Sequence, residues 1–197
     1  MWNPANYAER NPQLSVIQQV ERGHPEQRSI VITEWNNRGP SVETSGDNTD
    51  GIQTVATQAE TGTVFGAAWD HRTNYIYSAA YAKAYTDYGP GGAGGIYRTD
   101  VTAALIGEPG STVVWTQVSS PGMSAHGTDD FQDDLFYVAN GREGLGGLAL
   151  SEDGSLLYVS SLDPSGLPGS PTLEQPTFTR PQDPAAGPVL DSDPTPL

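Results

Sequence analysis

The chain has 197 residues and a formal net charge of −15, from 24 acidic against 9 basic residues. A surface of that sign repels phosphate backbones and anionic headgroups, which argues against nucleic acid as a partner and against adsorption to a lipid leaflet. No cysteine is present, so disulfides and thiolate metal sites are excluded, and 23 glycines with 16 prolines mark a chain that turns often.

Residues 1–27 are polar and punctuated by proline, with a short helix conceivable around Pro4 to Glu9. The opening MWNPANYAERNP has no basic region followed by an apolar one, so an exported protein would have lost its leader or never carried it in this sequence. No stretch approaches the ~20 apolar residues of a spanning helix, and no direct membrane insertion is expected. RSIVITEW, residues 28–35, alternates β-branched residues and predicts the first strand. Turn formers fill 36–51, which predicts a long loop, and a weaker strand follows at Ile52 to Thr57.

From Thr63 the signal strengthens. Val64 to Trp69 and Tyr75 to Ala80 predict two strands joined by the turn Asp-His-Arg-Thr-Asn. Tyr77, Tyr81, Tyr85 and Tyr88 also fit one face of a helix, but Tyr75-Ile76-Tyr77 is strongly β-prone, and a strand running into a loop is the preferred reading. GPGGAGG at 89–95 reads as a flexible connector; GIYRTDV, Val113 to Val118 and Leu135 to Ala139 read as strands. LGGLALSEDGSLLYVSS, 145–161, is again strand, turn and strand, with Asp153-Gly154 at the turn. Residues 163–197 are rich in Pro, Ser, Asp and Gly and read as an extended arm or tail.

Two of these hairpins repeat one another. Phe65-Gly66-Ala67-Ala68-Trp69-Asp70 lies over Gly146-Gly147-Leu148-Ala149-Leu150-Ser151, and Tyr75-Ile76-Tyr77-Ser78-Ala79 over Leu156-Leu157-Tyr158-Val159-Ser160. The offset of 81, from Val64 to Leu145, is close to two propeller blades of ~40 residues. The fold class expected is therefore all-β: a propeller-like stack of small antiparallel sheets over 28–162, preceded by an extended segment, 1–27, and followed by the Pro-rich arm, 163–197. A complete propeller needs about four blades or more, so the stack is expected to be partial or open. Open strand edges invite a partner.

GTVFGAAWDHRTNYIYSAAYAKAYTDYGPGGAGGIYRTDVT, with GLGGLALSEDGSLLYVSSL after it and NPANYAERNPQL before it, resembles the N-terminal propeller-like region of large bacterial surface proteins that often carry SdrD B-like repeats. The resemblance covers roughly residues 3–162 and is most specific over 63–101. It implies an extracytoplasmic location, in the bacterial periplasm or on the cell surface, a propeller-like fold and no enzymatic role. Two departures stand out: cysteine is expected near the opening segment, and further strands after Leu162.

Motifs of chemistry are sparse. There is no G-x-S-x-G, no P-loop and no H-E-x-x-H. His24, His71 and His126 are far apart in sequence, and Asp70, Asp87, Asp100 and Asp134 are too scattered for the spacing to pair them as glycosidase carboxylates. Hard oxygen ligands make two weak calcium candidates, Asp47 with Asp50, and Asp129, Asp130, Asp133 and Asp134. No catalytic residue and no other cofactor is expected. Tyr81, Tyr85 and Tyr88, with polar tips on apolar rings, are the candidates for partner binding. The reading is a structural or interaction subunit that docks on other protein chains, itself or a larger envelope or membrane-bound complex. The alternative is a carbohydrate- or calcium-dependent adhesive module.

Overall fold

The computed structural model describes residues 12–36, 51–106, 108–118 and 144–163, with three further short strands at 172–173, 177–180 and 189–191. β-Branched and aromatic residues alternate along these segments, and they form strands in three small antiparallel sheets. Sheet 1 is the meander β1 (Gln13–Ile17), β2 (Arg28–Glu34) and β3 (Ile52–Thr57). Sheet 2 is the four-stranded meander β4 (Val64–Asp70), β5 (Tyr75–Ala80), β6 (Gly95–Asp100) and β7 (Ser111–Gln117). Sheet 3 holds β8 (Leu145–Leu150), β9 (Leu157–Asp163), β10 (Thr172–Leu173), β11 (Thr177–Arg180) and β12 (Val189–Asp191). One short helix, α1 (Gln58–Thr61), follows β3, and its first turn is closed by Glu60 Oε2, which accepts the Thr57 backbone N–H at 2.8 Å.

The all-β expectation holds, with two shifts of boundary. β1 lies inside 1–27 and pairs with β2, so sheet 1 begins before residue 28. Strands β10, β11 and β12 lie inside 163–197, and β10 and β11 pair with β9, so the Pro-rich segment adds strands to sheet 3. Residues 81–88 carry no helix; the strand β5 ends and a loop follows, as Tyr75-Ile76-Tyr77 predicts. The strand expected at Leu135 to Ala139 and the helix conceived at Pro4 to Glu9 lie outside the described residues. The glycine run 89–95 is tied down rather than loose. Gly91 N–H donates to the buried Tyr97 hydroxyl at 3.1 Å, Gln117 Nε2 donates to Gly91 O at 2.9 Å, and Val118 N–H donates to Gly94 O at 2.8 Å. Burial pushes the Tyr97 phenol up to about 12, so it stays protonated in that loop.

Sheet 2 is the middle layer. Successive residues of a strand point to opposite faces, and both faces of this sheet are apolar. Val64, Ile76 and Tyr97 pack with Ile30, Ile32 and Val55 of sheet 1. Ala68, Tyr77, Ala79 and Ile96 pack with Leu145, Leu157 and Val159 of sheet 3. Each fully buried Ile, Leu or Val side chain stabilises the fold by roughly 1.5–3 kcal/mol. The stack thus depends on one sheet being apolar on both sides.

The 81-residue repeat is reproduced pair by pair. In sheet 2, Val64 pairs with Ala80, Ala67 with Ser78, Ala68 with Tyr77 and Trp69 with Ile76. In sheet 3, at the same offset, Leu145 pairs with Ser161, Leu148 with Val159, Ala149 with Tyr158 and Leu150 with Leu157. Both first strands carry a register shift at the same place, between Val64 and Ala67 and between Leu145 and Leu148. Tyr81 N–H to Thr63 O and Leu162 N–H to Gly144 O, each 3.0 Å, repeat as well. Related hairpins keep their bulges, and the shared one supports the repeat.

The leading strands of sheets 2 and 3 lie against each other. A Cβ on Gly66 would stand 2.5 Å from the Gly146 carbonyl oxygen and 2.9 Å from the Leu148 nitrogen, distances at which backbone must move. Glycine there permits the close approach of two backbones. Gly147, its counterpart in the repeat, is exposed, and a Cβ there meets nothing nearer than Ser160 Oγ at 4.0 Å. Gly66→Val is expected to cost about 1–3 kcal/mol by forcing the two sheets apart. Gly147→Ala should leave the thermal midpoint of dilute protein within a degree or two. Circular dichroism melts of the two variants check this.

Candidate functional site

The three tyrosines do not form one patch. Tyr81 is half-buried, its ring stacked on Phe65 at 5.0 Å between centroids. Tyr85 is 46% exposed on a left-handed backbone, φ 63°, and its carbonyl accepts the Arg22 N–H at 2.8 Å. Tyr88 is half-buried against the core shared by sheets 1 and 2, and its backbone bridges to Gly62. Of the three, Tyr85 is the most exposed. Phe65, 56% exposed, and Trp69, 58% exposed, show more apolar surface than any of them. Both lie on the exposed side of β4, where alternation puts Val64, Gly66, Ala68 and Asp70 inside. The strict alternation along 64–70 is the sequence signal that could have found them.

A shallow depression of about 410 Å³ is lined by His24, Pro25, Gln58, Asp87, Tyr88 and Pro90, among others. Its charged groups are engaged locally. Arg22 Nε donates to Asp87 Oδ1 at 2.8 Å, and His24 Nδ1 lies 3.8 Å from Glu26. His71 meets the Trp69 ring edge-on at 6.2 Å, and His126 lies outside the described residues. The carboxylates weighed for glycoside chemistry are likewise held by different partners. Asp70 pairs with Arg72, Asp87 with Arg22, and Asp100 Oδ1 accepts the Thr102 N–H at 2.8 Å. Asp134 and the calcium candidates Asp47, Asp50, Asp129, Asp130 and Asp133 lie outside the described residues. Among the described residues, no group of three His, Asp or Glu side chains is placed to hold a metal ion. No helix among them is long and apolar enough to cross a membrane.

The best-built polar cluster joins the hairpin turns of sheets 2 and 3. Asp70, 5% exposed, accepts from Arg72 Nε at 2.9 Å, from Arg72 Nη2 at 3.3 Å and from the Arg72 backbone N–H at 3.0 Å. The Arg72 guanidinium then lies across the next turn: a Cβ on Gly154, at φ +63°, would fall on it. In that turn Asp153 Oδ1 accepts from Ser151 Oγ at 2.6 Å, Ser155 Oγ at 2.7 Å and the Ser155 N–H at 3.0 Å. Burial pushes the Asp70 carboxyl up, but bonds from Arg72 and Thr73 outweigh it and leave the group below its ordinary 3.8. Bonds from Ser151 and Ser155 hold Asp153 at about 2. This is an electrostatic clasp between repeats. Hydrogen bonds close each turn on itself, and the Arg72 guanidinium and the Asp153 carboxylate attract one another across the two.

Comparison with known proteins places the chain near two relatives. It is 30% identical over 100 residues to Colossin-D of Dictyostelium discoideum, a stretch that is 49% of this chain and 11% of that protein. It is 29% identical over 130 residues to Colossin-A of the same organism, 62% of this chain and 1% of that protein. The chain therefore matches a small part of much longer proteins. No established protein family and no solved structure matches it.

The clasp sets an acid limit. Both folded carboxyls sit below 3.8, so their contribution is complete above about pH 4 and is lost as pH falls toward 2. Thermal melts at a series of pH values should show the midpoint dropping across that window. Asp70→Asn should lower the midpoint at neutral pH and flatten the fall.

Proposed function

We propose that the chain is a non-enzymatic structural or interaction module working outside the cytoplasm, a propeller-type stack of small sheets that docks on other protein chains. The observation that carries this is the open end of the stack: Gly147 and Ala149 stay exposed on β8, where the equivalent Gly66 and Ala68 are covered by the next sheet. Up-and-down sheets whose leading strands lie side by side are the arrangement propellers use, which supports the finer fold reading. The resemblance of residues 63–101 to the propeller-like region of bacterial surface proteins supports the location. Similarity confined to a small part of two long proteins supports a module of a larger assembly. Native mass spectrometry of the gently purified protein tests it. A particle containing more than one chain is expected, and a clean monomer from its natural source would overturn it.

A second reading has an observation of its own. Phe65, Trp69 and Tyr85 are exposed rings, and such rings suit stacking on sugars. Titration with soluble oligosaccharides, followed by tryptophan emission, should then show saturable binding that Trp69→Ala abolishes. Calcium dependence, resting on the aspartates at 47–50 and 129–134, would appear as loss of that binding in chelator.

A further inference from the structure

The depression walled by His24, Pro25, Gln58, Asp87, Tyr88 and Pro90 is built from three segments that backbone hydrogen bonds pin together. Ala59 N–H donates to Pro25 O at 2.9 Å and Gln58 N–H to Gln27 O at 2.8 Å, which fixes α1 against the loop between β1 and β2. Thr63 N–H donates to Asp87 O at 2.9 Å, and Gly62 bridges to Tyr88, which ties the loop after β5 to the end of α1. At about 410 Å³, with walls held this way, the cavity falls in the range of small-ligand sites, which are largely preformed.

Beyond its volume, a buried amide and a strained turn mark it. Gln58 is 6% exposed, its Oε1 has no hydrogen-bond partner, and its Nε2 reaches Asp87 O only at 3.4 Å. A buried acceptor without a donor is costly. A tether that long is weak, so the amide can turn toward the cavity, where a ligand hydroxyl would supply the donor. Tyr85, two residues before Asp87, holds a left-handed backbone at φ 63°, which residues other than glycine rarely adopt. Such strain gathers at ligand sites. Its carbonyl accepts the Arg22 N–H, and Arg22 Nε in turn donates to Asp87, so the strained turn helps to place the Asp87 wall.

Charge and shape select the ligand class. The ionic groups here are balanced locally, Asp87 by Arg22, with Glu26 beside His24, so neither an anion nor a cation is favoured. The walls otherwise combine the Gln58 amide with the apolar surfaces of Tyr88, Pro25 and Pro90. A neutral ring with hydroxyls on its edge and C–H groups on its face suits both kinds of wall. We propose that this depression binds one sugar residue of a neutral glycan, with hydroxyls on Gln58 and Asp87 and the apolar face against Tyr88 and the prolines. This deepens the carbohydrate reading by giving it a site made by residues other than the β4 rings, and it rests on that reading.

Chemical-shift mapping of the isotope-labelled full chain, titrated with the methyl glycosides of glucose, galactose, mannose and N-acetylglucosamine, tests this. At least one of these sugars should give a saturable shift centred on the amides of Gly23, His24, Ala59 and Gly89. Gln58→Met, which keeps the side-chain length and removes the acceptor, should weaken binding about tenfold, the worth of one hydrogen bond. Ala59→Phe, at an exposed position in the wall, should abolish it, and Trp69→Ala should leave it unchanged. Shifts that survive Ala59→Phe, or equal shifts from guanidinium or phosphate, would overturn the site. So would the absence of a saturable shift from all of these sugars. Binding that maps to β4 and is lost only with Trp69→Ala would overturn this site and leave the carbohydrate reading standing.

Discussion

Two backbones meeting without side chains between them set the geometry of this protein. Gly66 of β4 lies against the Gly146 carbonyl of β8, and no larger residue fits there without moving main chain. That approach brings the leading strands of sheets 2 and 3 side by side and lets Tyr77 and Ile96 reach Leu145, Leu157 and Val159. Cores are packed so closely that an inserted methyl is felt at once. The apolar contact between the sheets therefore depends on the glycine contact beside it.

A second tie acts at the far end of the same hairpins. Arg72, held by the buried Asp70, reaches over Gly154 and toward Asp153, so that one turn grips the next. The glycine contact and the clasp complement each other, one requiring absence of a side chain and the other the reach of a long one. Glycine recurs at the clasp as well, since Gly154 both takes a left-handed turn and leaves room for the guanidinium. Both ties join sheet 2 to sheet 3.

Much of the fold was legible in sequence because alternation and turn residues act locally. The strand at 28–35, the hairpins at 64–80 and 145–161 and the 81-residue offset all follow from residues close together in the chain. What was missed depends on residues far apart. GPGGAGG looked loose because composition does not reveal that Tyr97 and Gln117 bind it. β1 was read as part of an extended segment because QLSVI has a weak pattern alone, and its register comes from β2. At the candidate site, Tyr81, Tyr85 and Tyr88 go to a ring stack, an exposed turn and the edge of the core, a division set by neighbours distant in the chain. Phe65 and Trp69 were overlooked as surface, although the alternation of β4 with small or buried neighbours marked them.

The central claim is that sheets 2 and 3 form one packed unit related by the repeat, and native-state amide hydrogen exchange tests it most directly. Amides of β5, β6 and β9 should share the slowest exchange and a single opening free energy, because none of these strands can open without breaking the core between the sheets. If the amides of β9 exchanged freely while those of β5 and β6 stayed protected, sheet 3 would not be packed on sheet 2, and the account would fail.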